Sequence, residues 1–473
     1  MGKLSGSTLL CGAHVSKAVS ELVWSLLTSH TAYVKMTGID IFSSLPTSLA
    51  CNILRDWLSL KSVVALDSAY CCKANRRFFE DLLQSDEYFV REKFVYPLNS
   101  HDLHVLPKFG GKIRCICIED NRTDMVAQYC HNLTHVYLNG PWCSSKLLCD
   151  TLNVNQGIEF LNIHIPAFGL GSGAHVLSFA GISLPQLKTL SLTGFHFEYM
   201  CIVAALKMSN FIVRLNLCEA ILSKSTLVTV QQLCPNLISL GLADTSIETP
   251  WSDDALNELT AACPHIVHLD IENALCSEEG GADITDAGIL AVVQNLKGLQ
   301  SLSILDNYNL TYASSVHIYT HCANTLQTLR LDCDHYVIQN NMHGVSAFNT
   351  LFERCTQLRY LYFSSWYEDI TRDVGITLPA ATLRNLTTLV LVGNVVCDRN
   401  LTAIHNDGIN LQHLALFNRS IDRACPDLLE GCPKLVELCI DLGTFDLSVY
   451  RRDGLTVSSA LPKHLRVFNI LDM

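Results

Sequence analysis

The sequence predicts an α/β solenoid, in which parallel strands stack side by side and each strand is followed by a helix. Three observations predict this fold: an apolar hexapeptide that recurs along most of the chain, helical patterns between the hexapeptides, and cysteines at the junctions. An internal repeat also removes the usual expectation of about three compact domains for a chain of 473 residues.

The hexapeptide has the form L-x-x-L-x-L, with Ile, Val or Phe as alternatives, and it occurs fourteen times at a mean spacing of about 27 residues. Alternate residues of an extended segment face the same way. The last two apolar residues of each hexapeptide therefore point into one core, and the residues between them point outward. The hexapeptides begin at Ile113, Leu133, Ile158, Leu187, Ile212, Leu237, Ile266, Leu299, Leu326, Leu358, Leu386, Leu411, Leu435 and Leu465.

The segments between the hexapeptides carry helical periodicity. In Asp253–Cys263, Asp286–Leu296 and Val345–Cys355 the apolar residues fall three and four apart, as in a helix that covers a sheet. A strand and a helix repeated in this order give parallel strands with the helices on one side. Since no single unit can bury its own apolar face, the units must stack.

Cysteines mark five of the junctions between a helix and the next strand. Pro follows three of them, and because Pro cannot continue a helix, C-P-x-L marks the turn into the strand. A thiol packs there as a small apolar group, and the paired C-x-x-C motifs of zinc or redox sites are missing from the sequence. The cysteines that stand three residues before a hexapeptide are Cys130, Cys234, Cys263, Cys355 and Cys432.

At these residues the chain resembles the cysteine-containing subclass of leucine-rich repeats, over roughly residues 110–473. The resemblance implies a horseshoe-shaped solenoid of about 14 parallel strands with helices on the convex side. The expected organisation is an unassigned extension over 1–35, a small helical segment over 36–96, a joint over 97–112 and the solenoid over 113–473.

The segment before the repeats predicts three short helices between Leu45 and Leu83, too little chain to bury much core by itself. Its Leu-Pro opening, Ile-Leu pair, paired valines and polar third helix resemble the F-box. That resemblance implies docking on a Skp-type adaptor within a cullin–RING ubiquitin ligase. The residues that would form the adaptor interface are Leu45, Pro46, Leu49, Ile53, Leu54, Trp57, Val63 and Val64. In the alternative interpretation, these helices cap the open edge of the first repeat.

Composition excludes several classes of partner. Lys and Arg number 33 against 45 Asp and Glu, a net charge of −12, so no basic excess favours nucleic acid. The sequence contains no uninterrupted apolar run of 18 residues, so no membrane span is expected, and no signal peptide is convincing. We therefore expect a reduced, intracellular protein of the cytoplasm, with the nucleus as the alternative compartment.

The outward residues of the strands form the expected partner-binding surface. Most hexapeptides place small or neutral residues there, whereas two neighbouring ones place Arg and Tyr, which dominate binding hot spots. A weaker acidic patch contains His268, Asp270 and Glu272. The alternative is that the loop aromatics pack on their own solenoid. The predicted protein-binding residues are Arg330, Asp332, Tyr360, Tyr362, Trp366 and Tyr367.

The sequence lacks the residue spacings of a nucleophile elbow, of a phosphate-binding loop and of a zinc protease. We expect no cofactor, no metal and no enzymatic activity. The function predicted by the two resemblances is substrate recognition in an SCF-type (Skp–cullin–F-box) ubiquitin ligase. The alternative is an intracellular leucine-rich-repeat scaffold without a ubiquitin role.

Overall fold

The structure is a computed structural model of the whole chain. It describes residues 106–441 and 466–467, apart from 119–122, 141–144, 166–178, 195–196, 198, 244–245, 248–251, 273–283, 306, 308, 333–341, 366–374 and 418–430. The chain forms two compact units. The described residues of the first unit lie in 106–164 and 181–187. Those of the second unit begin at Ile165 and exclude 181–187.

The first unit contains three parallel strands, in the order of the sequence. Val136 pairs with Ile116 on one side and with Leu161 on the other, so the buried apolar residues lie in line. Its strands are β1 (Cys115–Ile118), β2 (His135–Asn139) and β3 (Phe160–His164). Its helices are α1 (Leu106–Phe109), α2 (Thr123–Tyr129) and α3 (Ser145–Val154), with a 3₁₀ turn at Gly110–Lys112.

The second unit contains eleven strands of the same kind, again parallel and in sequence order, among its described residues. They are β4 (Thr189–Thr193), β5 (Arg214–Asn216), β7 (Ser239–Gly241), β9 (His268–Asp270), β10 (Ser301–Ser303), β11 (Thr328–Asp332), β12 (Tyr360–Ser365), β13 (Thr388–Gly393), β14 (His413–Phe417), β15 (Glu437–Asp441) and β16 (Arg466–Val467). Two further short strands, β6 (Ile221–Leu222) and β8 (Ser246–Ile247), pair with each other in parallel.

Helices alternate with these strands. The described ones are α4 (Tyr199–Leu206), α5 (Lys224–Leu233), α6 (Asp253–Ala262), α7 (Asp286–Asn295), α8 (Tyr312–Cys322), α9 (Met342–Arg354), α10 (Ala380–Leu383) and α11 (Asp398–Asp407). The three helices predicted from periodicity are present as α6, α7 and α9, and α9 begins three residues earlier than its pattern. No helix in the described part of the chain has the length and apolar character to cross a bilayer.

Each of the fourteen hexapeptides coincides with a strand, which begins one or two residues after its first apolar position. In the hexapeptide that contains β10, Leu299, Leu302 and Ile304 are at most 4% exposed, and Ser301 and Ser303 lie at the alternate positions. The predicted leucine-rich-repeat solenoid of parallel strands and alternating helices is therefore confirmed.

The junction cysteines end the helices, as the sequence indicates. The Cys234 N–H donates to the carbonyl of Val230, and its own carbonyl accepts from the N–H of Leu237, which opens the next hexapeptide. Cys263 makes the same two bonds with Leu259 and Ile266. One further cysteine, Cys322, is fully buried at the end of α8, although it stands four residues before its hexapeptide.

Carboxylates link the beginnings of successive helices. Asp286 opens α7, and its carboxylate accepts hydrogen bonds from the N–H and hydroxyl of Thr311, the N-cap of α8, at 3.0 and 2.6 Å. Asp253 on α6 makes the same clasp with Thr285, the N-cap of α7, at 2.8 and 2.7 Å. Each clasp satisfies a helix-end donor and places negative charge at a helix N-terminus.

The first strand departs from the expected alternation. Cys115 and Cys117 hold the outward positions of the first hexapeptide, yet both are buried, as are all four residues of β1. In contrast, β2 and β3 alternate regularly between buried and half-buried residues. The accessible part of the sheet in the first unit therefore begins at β2.

Candidate functional site

We call the side of the sheet that faces away from the buried leucines the open face. Strand pairing aligns its residues in two rows across the second unit. The first row is Thr189, Arg214, Ser239, His268, Ser301, Thr328, Tyr360, Thr388, His413 and Glu437. The second row is Ser191, Asn216, Gly241, Asp270, Ser303, Arg330, Tyr362, Val390, Ala415 and Cys439.

Arg330 is held by Glu272, which follows β9, and by Tyr362 on the neighbouring strand β12. Its Nη1 lies 2.7 Å from Oε2 of Glu272, and its Nη2 donates to Oε1 at 3.3 Å. The hydroxyl of Ser303 donates to the same Oε2 at 3.2 Å. The guanidinium carbon lies 5.4 Å from the centre of the Tyr362 ring, within the range of a cation–π contact. We call Glu272, Ser303, Arg330 and Tyr362 the arginine cluster.

The arginine cluster joins the predicted acidic patch to the predicted patch of Arg and Tyr residues. Glu272 belongs to the predicted acidic patch, and its N–H donates to Oδ1 of Asp270 at 3.1 Å, which fixes the turn after β9. Since Glu272 then reaches Arg330, the acidic patch and the Arg-Tyr patch form one continuous surface over β9–β12. Charge neutralisation by Glu272 also makes this surface less basic than Arg330 alone suggests.

In the first row, desolvation and Arg214 act on the charge state of His268. Desolvation, followed by the positive charge of Arg214, lowers the pKa of His268. Both effects disfavour the imidazolium form. His268 therefore adds a neutral ring rather than a cation to this end of the surface at neutral pH.

Four of the six predicted protein-binding residues lie together on the open face. Arg330 and Asp332 are on β11, Tyr360 and Tyr362 are on β12, and Arg330 pairs with Tyr362 in the register. All four side chains are partly exposed. Trp366 and Tyr367 lie outside the described residues, as do the eight predicted adaptor-binding residues between Leu45 and Val64.

A second aromatic cluster, which the sequence analysis missed, lies on β2 and β3 of the first unit. The ring of Phe160 stacks on His135 at 5.6 Å between centroids and lies 4.8 Å from the ring of Tyr137. Desolvation, followed by the nearby thiols of Cys115 and Cys117, raises the pKa of Tyr137. The three aromatic residues occupy the outward positions of two neighbouring hexapeptides, and this alignment could have identified them.

Among the residues that the structure describes, no group of three or more His, Cys, Asp or Glu side chains is placed to hold a metal ion. The junction thiols are kept protonated by their surroundings. Desolvation raises the pKa of Cys130 and of Cys355 to about 12. These thiols act as packing groups in the core.

The comparisons with known proteins find similarity to solved structures and none to a described family. No protein-family model matches the chain, and no curated protein matches it. The chain is similar to one in the crystal structure of the Rad7 and Elc1 complex in yeast, with 16% sequence identity and a TM-score of 0.49. The alignment covers 98% of this chain and 98% of that chain. A likeness at this level says nothing about the partners of the present protein.

Proposed function

We propose that this chain is a non-enzymatic substrate receptor that captures a protein on the open face of its repeats and presents it to an SCF-type ubiquitin ligase. In this proposal residues 36–96 dock on a Skp-type adaptor, and other subunits transfer ubiquitin. The receptor contributes effective concentration, because it holds the target close to the charged conjugating enzyme.

The observation that carries the capture half of this proposal is the arginine cluster beside Tyr360. A repeat solenoid presents long surfaces rather than enclosed reactive pockets. On such a surface, Tyr and Arg bury a large area and still make directed hydrogen bonds, which is why they dominate binding hot spots. Arg330 is also fixed in place by Glu272 and Tyr362, so little side-chain entropy is lost on binding.

The adaptor half of the proposal is supported by the F-box-like pattern of the sequence. It is tested by mixing a purified Skp-type adaptor with the intact chain and with a variant lacking residues 36–96. We expect the intact chain to retain the adaptor and the deletion variant to lose it. A milder variant, Leu49→Ala with Trp57→Ala, tests the same interface without removing a segment.

The control is a variant with an altered open face, Tyr360→Ala with Tyr362→Ala, which should retain the adaptor fully. Far-ultraviolet circular dichroism of each variant verifies that the repeats remain folded. If the intact chain captures no Skp-type adaptor, the ligase role is wrong, and the N-terminal helices act as a cap on a scaffold.

A further inference from the structure

A shallow cavity lies on the open face near its C-terminal strands, where the sequence predicts no site. Its volume is about 350 Å³, near the lower bound for ligand pockets, and it lies over β13, β14 and β15. Its lining includes Thr388, Val390, His413, Ala415, Glu437 and Cys439, which hold the positions of both rows on these three strands.

The chemistry of this cavity is divided between an apolar floor and one acidic edge. Val390 and Ala415 pair across β13 and β14 and form the floor. At the edge, Nδ1 of His413 lies 2.9 Å from Oε2 of Glu437, and the two side chains remain 43% and 47% exposed. An apolar floor that ends at an accessible carboxylate fits a side chain with an aliphatic stem and a cationic head, as in Lys and Arg.

Among its described residues, the open face from β9 to β15 carries more acidic than basic side chains. Asp270, Glu272, Asp332 and Glu437 place four carboxylates on β9–β15 or directly after β9. Arg330 is the basic side chain described there, and it is already paired with Glu272. Counting Arg466, which holds the register position next to Glu437 on β16, Asp and Glu still outnumber Lys and Arg among the described residues of this face. A partner of positive charge is therefore attracted and oriented.

We propose that the open face from β9 to β15 binds an extended, Lys- or Arg-rich segment of the captured protein, laid across the strands, with one basic side chain in the cavity at Glu437. This inference rests on the proposed function, because it names the chemistry of the partner that the receptor captures. Tyr360 and Tyr362 lie midway along this path and supply ring faces for cations or apolar stems.

The dimensions of the sheet set the length of the segment. Six strand spacings of about 4.8 Å separate β9 from β15, which is roughly 29 Å. An extended chain rises about 3.4 Å per residue, so about nine residues span the surface. A probe of about twelve residues therefore covers both the arginine cluster and the cavity.

The test uses three fluorescent twelve-residue peptides built on one Ser/Thr/Val backbone, with Lys, Gln or Glu at the same four positions. Their binding to the full-length chain is measured by fluorescence anisotropy at low and high ionic strength. We expect the Lys peptide to bind, the Glu peptide not to bind, and the affinity of the Lys peptide to fall with added salt. Glu437→Gln should weaken the Lys peptide about fivefold, as expected for one partly exposed charge contact.

The matched control is Glu258→Gln, which removes an identical charge from an exposed position on α6, on the helical side. It should leave the affinity unchanged. If Glu437→Gln lowers the thermal midpoint, Asp332→Asn on β11 provides a second variant of the same surface. Equal binding of the Lys and Glu peptides, or equal effects of Glu437→Gln and Glu258→Gln, overturns the inference.

Failure of this inference is distinguishable from failure of the proposed function. If the Lys peptide does not bind but the Skp-type adaptor is retained through residues 36–96, the receptor role stands and the basic-segment inference is wrong. If the Lys peptide binds with the expected dependence on Glu437 but no adaptor is retained, the inference stands and the ligase role is wrong.

Discussion

The carboxylate of Glu272 reaches past β10 to the guanidinium of Arg330, 58 residues further along the chain, and holds it at 2.7 Å. The two residues come from repeats that are not adjacent in the sheet. Their contact depends on Ser303, a small residue between them that leaves room for the bridge and donates to the same carboxylate. A large side chain at this position would separate the two charges.

The Arg330–Glu272 pair should make a measurable but small contribution to stability. A double-mutant cycle with Arg330→Ala and Glu272→Ala should give a coupling energy of about 0.5–1 kcal/mol, since solvent screens a partly exposed pair. Urea unfolding measures it. The control cycle is Arg384 with Asp407, whose contact distance is 2.8 Å but whose arginine is 61% exposed. A larger coupling at the control pair would contradict this interpretation.

Replacing Tyr360 and Tyr362 together with Ala should abolish capture of the protein partner. The thermal midpoint should change little, because both side chains are partly exposed and the lost cation–π contact is worth only about 0.5–1 kcal/mol. Co-purification from cells and differential scanning fluorimetry measure the two effects. The same double replacement at Tyr312 and Tyr319, on α8, should leave capture intact. Normal capture by the Tyr360/Tyr362 variant would remove these residues from the site.

Replacing Asp286 with Ala should destabilise the second unit by roughly 2 kcal/mol, since Thr311 loses acceptors for its N–H and hydroxyl at the start of α8. Chemical denaturation measures the loss. Asp254→Ala is a close control, because Asp254 also lies in the first turn of a helix but is exposed. Equal losses in the two variants would mean that helix-dipole interactions, rather than the clasp, account for the effect.

The junction cysteines should make the fold sensitive to alkaline pH. Desolvation raises the pKa of Cys355 from 9.0 to about 12, so between these values the unfolded chain releases a proton that the folded chain keeps. The contribution of each buried thiol to the free energy of unfolding is therefore fully present below pH 9. It falls as the pH rises, by about 1.4 kcal/mol per thiol for each pH unit. Thermal midpoints between pH 8 and about 10.5 measure this, and Cys355→Ala should reduce the slope by the share of one thiol, because the other buried junction cysteines keep theirs. An unchanged slope in that variant would contradict the assignment.

The strands were predictable because each one carries its own local pattern. In the described hexapeptides from Ile113 to Leu411 the apolar positions are all buried, and these copies agree with one another, so no single departure obscures the repeat. Cys322 was missed because its spacing to Leu326 is one residue longer than in the other junctions. The two-residue strands β6 and β8 were missed because such short segments show no alternation.

The candidate site was only partly predictable. Outward positions could be identified from periodicity, which placed Arg330, Tyr360 and Tyr362 on one face. The Glu272–Arg330 bridge and the Asp286–Thr311 clasp join residues 58 and 25 positions apart, and local patterns contain no information about such pairs. The cavity at Glu437 likewise requires three strands to be aligned before its floor and its acidic edge appear together.

The repeat, the buried side of most strands and the turns at the cysteines follow from the amino-acid sequence, because hydrophobic burial within about 27 residues specifies them. Which polar side chains meet across the strands depends on the folded sheet. Hydrogen bonds and ion pairs act over about 3 Å, so they depend on the stacking register, which is fixed only when the whole sheet has formed.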